Sequence, residues 1–90
     1  MVKVFIPTPL RSYTGAKDTV LLEGATVGDV LRSLTSTYSS LETHLFTEEG
    51  TLRRFVNVYV NDEDIRFLQR EDTKVTESDT VSIIPSIAGG

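Results

Sequence analysis

Ninety residues suffice for one domain and one modest core. With no cysteine, the chain holds neither a disulfide framework nor a thiolate metal site. Thirteen acids against nine bases give a net charge of −4, the wrong sign for a surface that neutralises nucleic-acid phosphates.

The opening "MVKVFIPTPL" has one lysine, a short apolar run and two prolines. A secretory signal needs a longer apolar core and a small-residue cleavage site, so none is expected. No apolar run approaches the ~20 residues that span a bilayer. The expectation is a cytoplasmic protein, monomeric when free, with no membrane or nucleic-acid partner.

Val2, Val4 and Ile6 alternate with Lys3 and Phe5, which predicts a first strand over 2–6, ended by Pro7 and Pro9. "RSYTGAKD" reads as a turn-rich connection. Residues 19–23 form a second strand, closed by Gly24. Thr26 is a candidate N-cap with Asp29 three residues on, close to a capping box. Val27, Val30, Leu31, Leu34 and Tyr38 then make one apolar stripe, predicting a helix over 27–38, which Gly28 weakens slightly. Residues 39–54 carry no clear period. "LETHLF" fits a further helical turn that buries Leu41, Leu45 and Phe46, and "TEEG" fits a turn. Phe55–Val60 is the strongest strand pattern, with Val56, Val58 and Val60 on one face and Phe55, Asn57 and Tyr59 on the other. Residues 61–64 read as an acidic turn, 65–67 as a brief edge strand and 70–79 as a polar connection. Residues 80–84 form the last strand, expected beside the first at the sheet centre, and Pro85 stops it.

The order β-β-α-β-β-β predicts a two-layer α+β domain over residues 1–84. A mixed sheet of four to five strands is covered on one face by one main helix. Residues 85–90 are expected to be a separate flexible tail.

Catalysis requires convergent groups, and few are present. His44 stands alone, without a second histidine or a cysteine, and makes neither a metal site nor a triad. The run Asn61-Asp62-Glu63-Asp64 lacks the spacing, glycine and distal glutamate of an EF-hand loop. There is no glycine-rich phosphate loop. The chain does not read as an enzyme, and no residue is assigned to a metal or a cofactor.

The ending "VSIIPSIAGG" is unusual. A strand and Pro85 are followed only by Ser86, Ile87 and Ala88 before two glycines. Six extended residues reach at most about 20 Å, enough to enter another protein's active site while the domain stays outside. Gly89 and Gly90 have no Cβ, so the backbone fits a narrow channel and the carboxyl is unobstructed. A frayed terminus is the ordinary alternative.

"FIPTPLRSYTGAKD", "RRFVNVYVNDEDIRF" and "VSIIPSIAGG" together resemble the ubiquitin-like, β-grasp sulfur carriers of the MoaD/ThiS family. The resemblance runs through nearly the whole chain. It is nearest to CysO-like carriers of thiocarboxylate-dependent cysteine biosynthesis. It implies that an E1-like adenylating enzyme (MoeB/ThiF type) activates the Gly90 carboxylate with ATP. A sulfur donor then displaces AMP and leaves a thiocarboxylate. In the cysteine branch, a pyridoxal-phosphate-dependent cysteine synthase takes the sulfur on an aminoacrylate. An acyl shift leaves cysteine amide-linked to Gly90, and a zinc-dependent peptidase releases it. Ser86, Ile87, Ala88, Gly89 and Gly90 would be the inserted tail. Two alternatives stay open. One is the small subunit of molybdopterin synthase, or a thiamin-type carrier, with the tail held by a larger subunit. The other is a ubiquitin-like modifier joined to lysines of its targets.

The helix must cover Val2, Val4, Ile6, Val56, Val58, Val60, Val81 and Ile83. The opposite face then shows Phe5, Phe55 and Tyr59, a candidate partner-docking surface. Arg11, Arg53, Arg54 and Arg66 are further candidates for pairing with a partner's acids, set against simple solvation.

Overall fold

The computed structural model describes residues 1–85, so the predicted tail from Ser86 to Gly90 lies outside the described residues. Five strands form one mixed sheet: β1 (Val2–Phe5), β2 (Thr19–Leu22), β3 (Val56–Val60), β4 (Glu63–Asp64) and β5 (Thr80–Pro85). Their order across the sheet is β2-β1-β5-β3-β4. β1 and β5 are parallel, and the other pairs are antiparallel. The last strand therefore fills the centre beside the first, as expected. Parallel pairing of β1 with β5 requires a long crossover, and the helical layer supplies it.

That layer is α1 (Val27–Thr37) with the short α2 (Glu42–Leu45). α1 starts where Thr26 caps it. Its hydroxyl accepts the Asp29 N–H at 3.2 Å, and the Asp29 carboxylate accepts the Ala25 N–H at 3.3 Å. The first bond satisfies one helix-end donor, and the second ties the residue ahead of the cap to the first turn. The Arg32 guanidinium, and then the Ala25 N–H, hold the Asp29 carboxyl below the usual carboxylate range. The apolar stripe buries Val27, Val30, Leu31 and Leu34 completely against the sheet. α1 ends at Thr37, and Tyr38, the last residue of the predicted stripe, is half-buried beyond it.

The covered face of the sheet carries Val2, Val4, Ile6, Val56, Val58, Val60, Val81 and Ile83, all buried as predicted. Residues 39–54 pack on the helix side. A 3-10 turn over Ser39–Leu41 leads into α2, and Leu41 and Leu45 enter the core while Phe46 packs against it. His44 lies against Tyr13, ring centroids 4.5 Å apart.

Two local expectations are corrected. Ile65–Phe67 is a 3-10 turn, not an edge strand. The Asp64 carboxylate accepts the Arg66 N–H at 2.9 Å and starts that turn, which drops Ile65 into the core and leaves Phe67 exposed. The edge strand is instead β4, Glu63–Asp64, inside the stretch read as an acidic turn. A two-residue loop, with Asn61 at φ 57°, folds it back on β3 so that Val60 pairs with Glu63. Residues 8–14 wind into 3-10 turns after Pro7, in keeping with the turn-rich connection read for "RSYTGAKD".

Gly24 is required by close approach. A Cβ there would lie 2.7 Å from the Val30 nitrogen and 2.9 Å from the Asp29 Cβ. Neither atom is the end of a flexible side chain. Gly24→Ala is therefore expected to lower stability by about 1–3 kcal/mol, the usual cost of overpacking. An unchanged urea midpoint would contradict this. Gly28 has a similar role, because a Cβ would meet the Glu71 carbonyl oxygen at 3.2 Å. It lets the 3-10 turn at Arg70–Asp72 pack on the first turn of α1.

Candidate functional site: the open sheet face and the tail exit

The face of the sheet turned away from α1 is open. Cross-strand partners share a face, and one row across the sheet reads Thr19, Phe5, Ser82, Tyr59 and Asp64. Phe5 and Tyr59 thus flank Ser82 on the central strand. Phe5 is 40% exposed and Phe55 41%, while Tyr59 is half-buried between its neighbours. The Arg11 guanidinium lies 5.5 Å from the centre of the Phe5 ring, and its Nε donates to the Ile6 carbonyl at 3.0 Å. The cation therefore stands over the aromatic in a fixed position.

Leu21 and Ile84, 59% and 47% exposed, extend this face, and sequence reasoning missed them. Leu21 pairs with Lys3 and Ile84 with Asn57, one row to either side of Phe5 and Tyr59. Their signal was present in strict alternation: each lies next to a core residue, so each must point outward. Five apolar side chains on one side of a small sheet exceed the scatter of single exposed residues.

The end of β5 fixes where the tail begins. Pro85 pairs with Val56, the first residue of β3. Phe55, Arg54 and Arg53 precede Val56, so they stand at the same end of the sheet. Pro85 has no N–H to donate to the ladder, and it is the last described residue of β5. Phe55 therefore stands at the Pro85 end, while Phe5 and Tyr59 both pair with Ser82, three residues earlier on the same strand. The docking aromatics thus lie along the strand that leads to the tail. Among the described residues no cluster of three His, Asp or Glu is placed to hold a metal ion, and no helix is long and apolar enough to cross a membrane.

A mixed sheet gripping one main helix, with its central strand running out towards two glycines, defines the ubiquitin-like β-grasp class. The chain belongs to the ThiS family, whose model matches residues 4–90. It is 44% identical over 91 residues to the sulfur carrier protein CysO of Mycobacterium tuberculosis, covering 99% of this chain and 98% of the relative. The crystal structure of the Amycolatopsis orientalis BexX/CysO complex contains a chain that superposes with a TM-score of 0.89 at 43% identity, covering 100% of both. The small archaeal modifier protein 1 of Methanosarcina acetivorans superposes with a TM-score of 0.87 at 34% identity, over 99% of this chain and 95% of that one. The fold and the full-length likeness are those of a sulfur carrier.

Proposed function

We propose that this chain carries sulfur as a thiocarboxylate on Gly90 and supplies it for cysteine biosynthesis. The observation that carries the reading is the full-length 44% identity to a sulfur carrier protein, with the family match continuing through residue 90. An E1-like enzyme docks on Phe5, Phe55 and Tyr59 and takes Ser86–Gly90 into its active site. A Gly90 carboxylate oxygen attacks the α-phosphorus of ATP, and pyrophosphate leaves. A sulfur nucleophile then attacks the acyl-adenylate carbonyl, and AMP leaves with the bonding electrons. The chain supplies the acyl group and the docking surface, while ATP and pyridoxal phosphate belong to its partners.

The test is reconstitution with the adenylating enzyme, a sulfur donor and the pyridoxal-phosphate synthase holding its aminoacrylate. The intact mass of the chain is expected to rise by one cysteine residue, and a zinc-dependent peptidase should restore it. A chain that gains sulfur but never cysteine contradicts the cysteine branch and favours a molybdopterin or thiamin-type route. One observation favours a second reading, as a protein modifier: the 34% identical solved neighbour is named a modifier. Isopeptide-linked ladders ending in Gly90 would support it.

A further inference from the structure

Four of the nine basic residues line one cleft. Arg53, Arg54, Arg66 and Arg70 surround an open space of about 510 Å³, with Val56 and Ile65 on its apolar floor. In a chain of net charge −4 this is a local reversal of sign. Among the described residues Glu71 is the one carboxylate on the lining, and none of the four arginines forms an ion pair. Two are held in place by backbone carbonyls. Arg53 Nε donates to the Thr43 oxygen at 2.8 Å, and Arg66 Nη2 to the Arg54 oxygen at 2.8 Å. Their remaining N–H groups are left for a ligand, and a guanidinium fork matches a carboxylate. Arg70 sits at φ 52°, a backbone region unusual outside glycine, on the turn that packs on Gly28.

The position of the cleft identifies its occupant. Val56 on its floor pairs with Pro85, so the cleft opens beside the tail exit, on the helix side of the sheet. The five residues after Pro85 carry the Gly90 carboxyl up to about 18 Å away when extended. A nucleotide reacting with that carboxyl then lies beyond the arginines. What stays beside Pro85 is the surface of the protein that receives the tail.

We infer that this cleft binds an acidic segment, a run of Asp or Glu at the mouth of the adenylating enzyme's tail channel. It is a second contact, on the side opposite the aromatic face. The inference rests on the proposed function, since it needs an enzyme that receives the tail. Arg54 and Arg70 are the positions to change, because both are exposed and, among the described residues, neither side chain forms a hydrogen bond that supports the fold.

ATP–pyrophosphate exchange by the adenylating enzyme is measured against carrier concentration at low and high salt. The variant Arg54→Glu/Arg70→Glu is expected to raise KM about tenfold at low salt, with kcat unchanged and a flatter salt dependence. A charge-matched control, Lys17→Glu/Lys74→Glu, should keep the wild-type KM. Equal KM values for wild type and the cleft variant, with both folded by circular dichroism, would overturn the inference and leave the carrier reading standing. An equal rise in the control would overturn it as well, in favour of net charge. Saturable chemical-shift changes at the cleft on adding inorganic pyrophosphate to the free protein would overturn it in favour of a small-anion site. No exchange with wild type would overturn both readings together.

Discussion

Deleting Gly89 and Gly90 is expected to abolish pyrophosphate exchange while leaving the melting temperature unchanged. The new terminus would be the carboxyl of Ala88, about 7 Å short of the position that Gly90 reaches. A misplacement of about 1 Å already costs on the order of a hundredfold when a reaction depends on positioning. The shortened chain should therefore fall to background rather than to a fraction of wild-type activity. The fold should not notice, because every ladder pair among the described residues, through Val56 with Pro85, lies ahead of the deletion. Unchanged exchange by the truncated chain would mean that the glycines play no part and that the domain is a passive binding module.

Phe5→Asp and Tyr59→Asp test the other half of the account, the docking face. The two side chains flank Ser82 in one row of the open sheet, beside the strand that leads to the tail. Central aromatics at an interface contribute roughly 2 kcal/mol each, so each substitution should raise KM for adenylation about thirtyfold. The cost to the fold is smaller. Phe5→Asp gives up the Arg11 contact, about 0.5–1 kcal/mol at an exposed site. Aspartate in a strand costs up to about 1 kcal/mol more. A domain of ordinary stability, about 5–15 kcal/mol, survives either loss. A folded double variant adenylated at the wild-type rate would remove the open face from the mechanism.

These predictions depend on features that were unequally legible in the sequence. The helix was readable because Val27, Val30, Leu31 and Leu34 repeat at the helical period behind a Thr26–Asp29 cap, and all four are fully buried. The central strands were readable because alternation in β3 and β5 sets one face against the other. Residues 63–67 were misread because Ile65-Arg66-Phe67 mimics strand alternation. A single side-chain contact, Asp64 to the Arg66 N–H, decides for a turn, and the strand falls on two acids whose pairing comes from the preceding loop.

The site divides in the same way. Phe5, Phe55 and Tyr59 followed from alternation; Leu21 and Ile84 obey the same alternation but were hidden because each sits within an apolar run beside core residues. Arg53, Arg54 and Arg66 were named from the sequence and Arg70 was not, but only the turns after β4 bring Arg66 and Arg70 beside the other two. Physics supports a presented C-terminus. The sulfur comes from family membership alone, because nothing in the composition of a glycine tail distinguishes a thiocarboxylate from an isopeptide.

The most direct measurement is the intact mass of the protein isolated from its own cells, before and after alkylation. The account predicts a species heavier than the unmodified chain by the difference between one sulfur and one oxygen atom. That species should take up one alkyl group although the chain has no cysteine, and fragmentation should place the change on Gly90. A tail that stays an ordinary carboxylate, even with its adenylating enzyme and a sulfur donor co-expressed, would contradict the account.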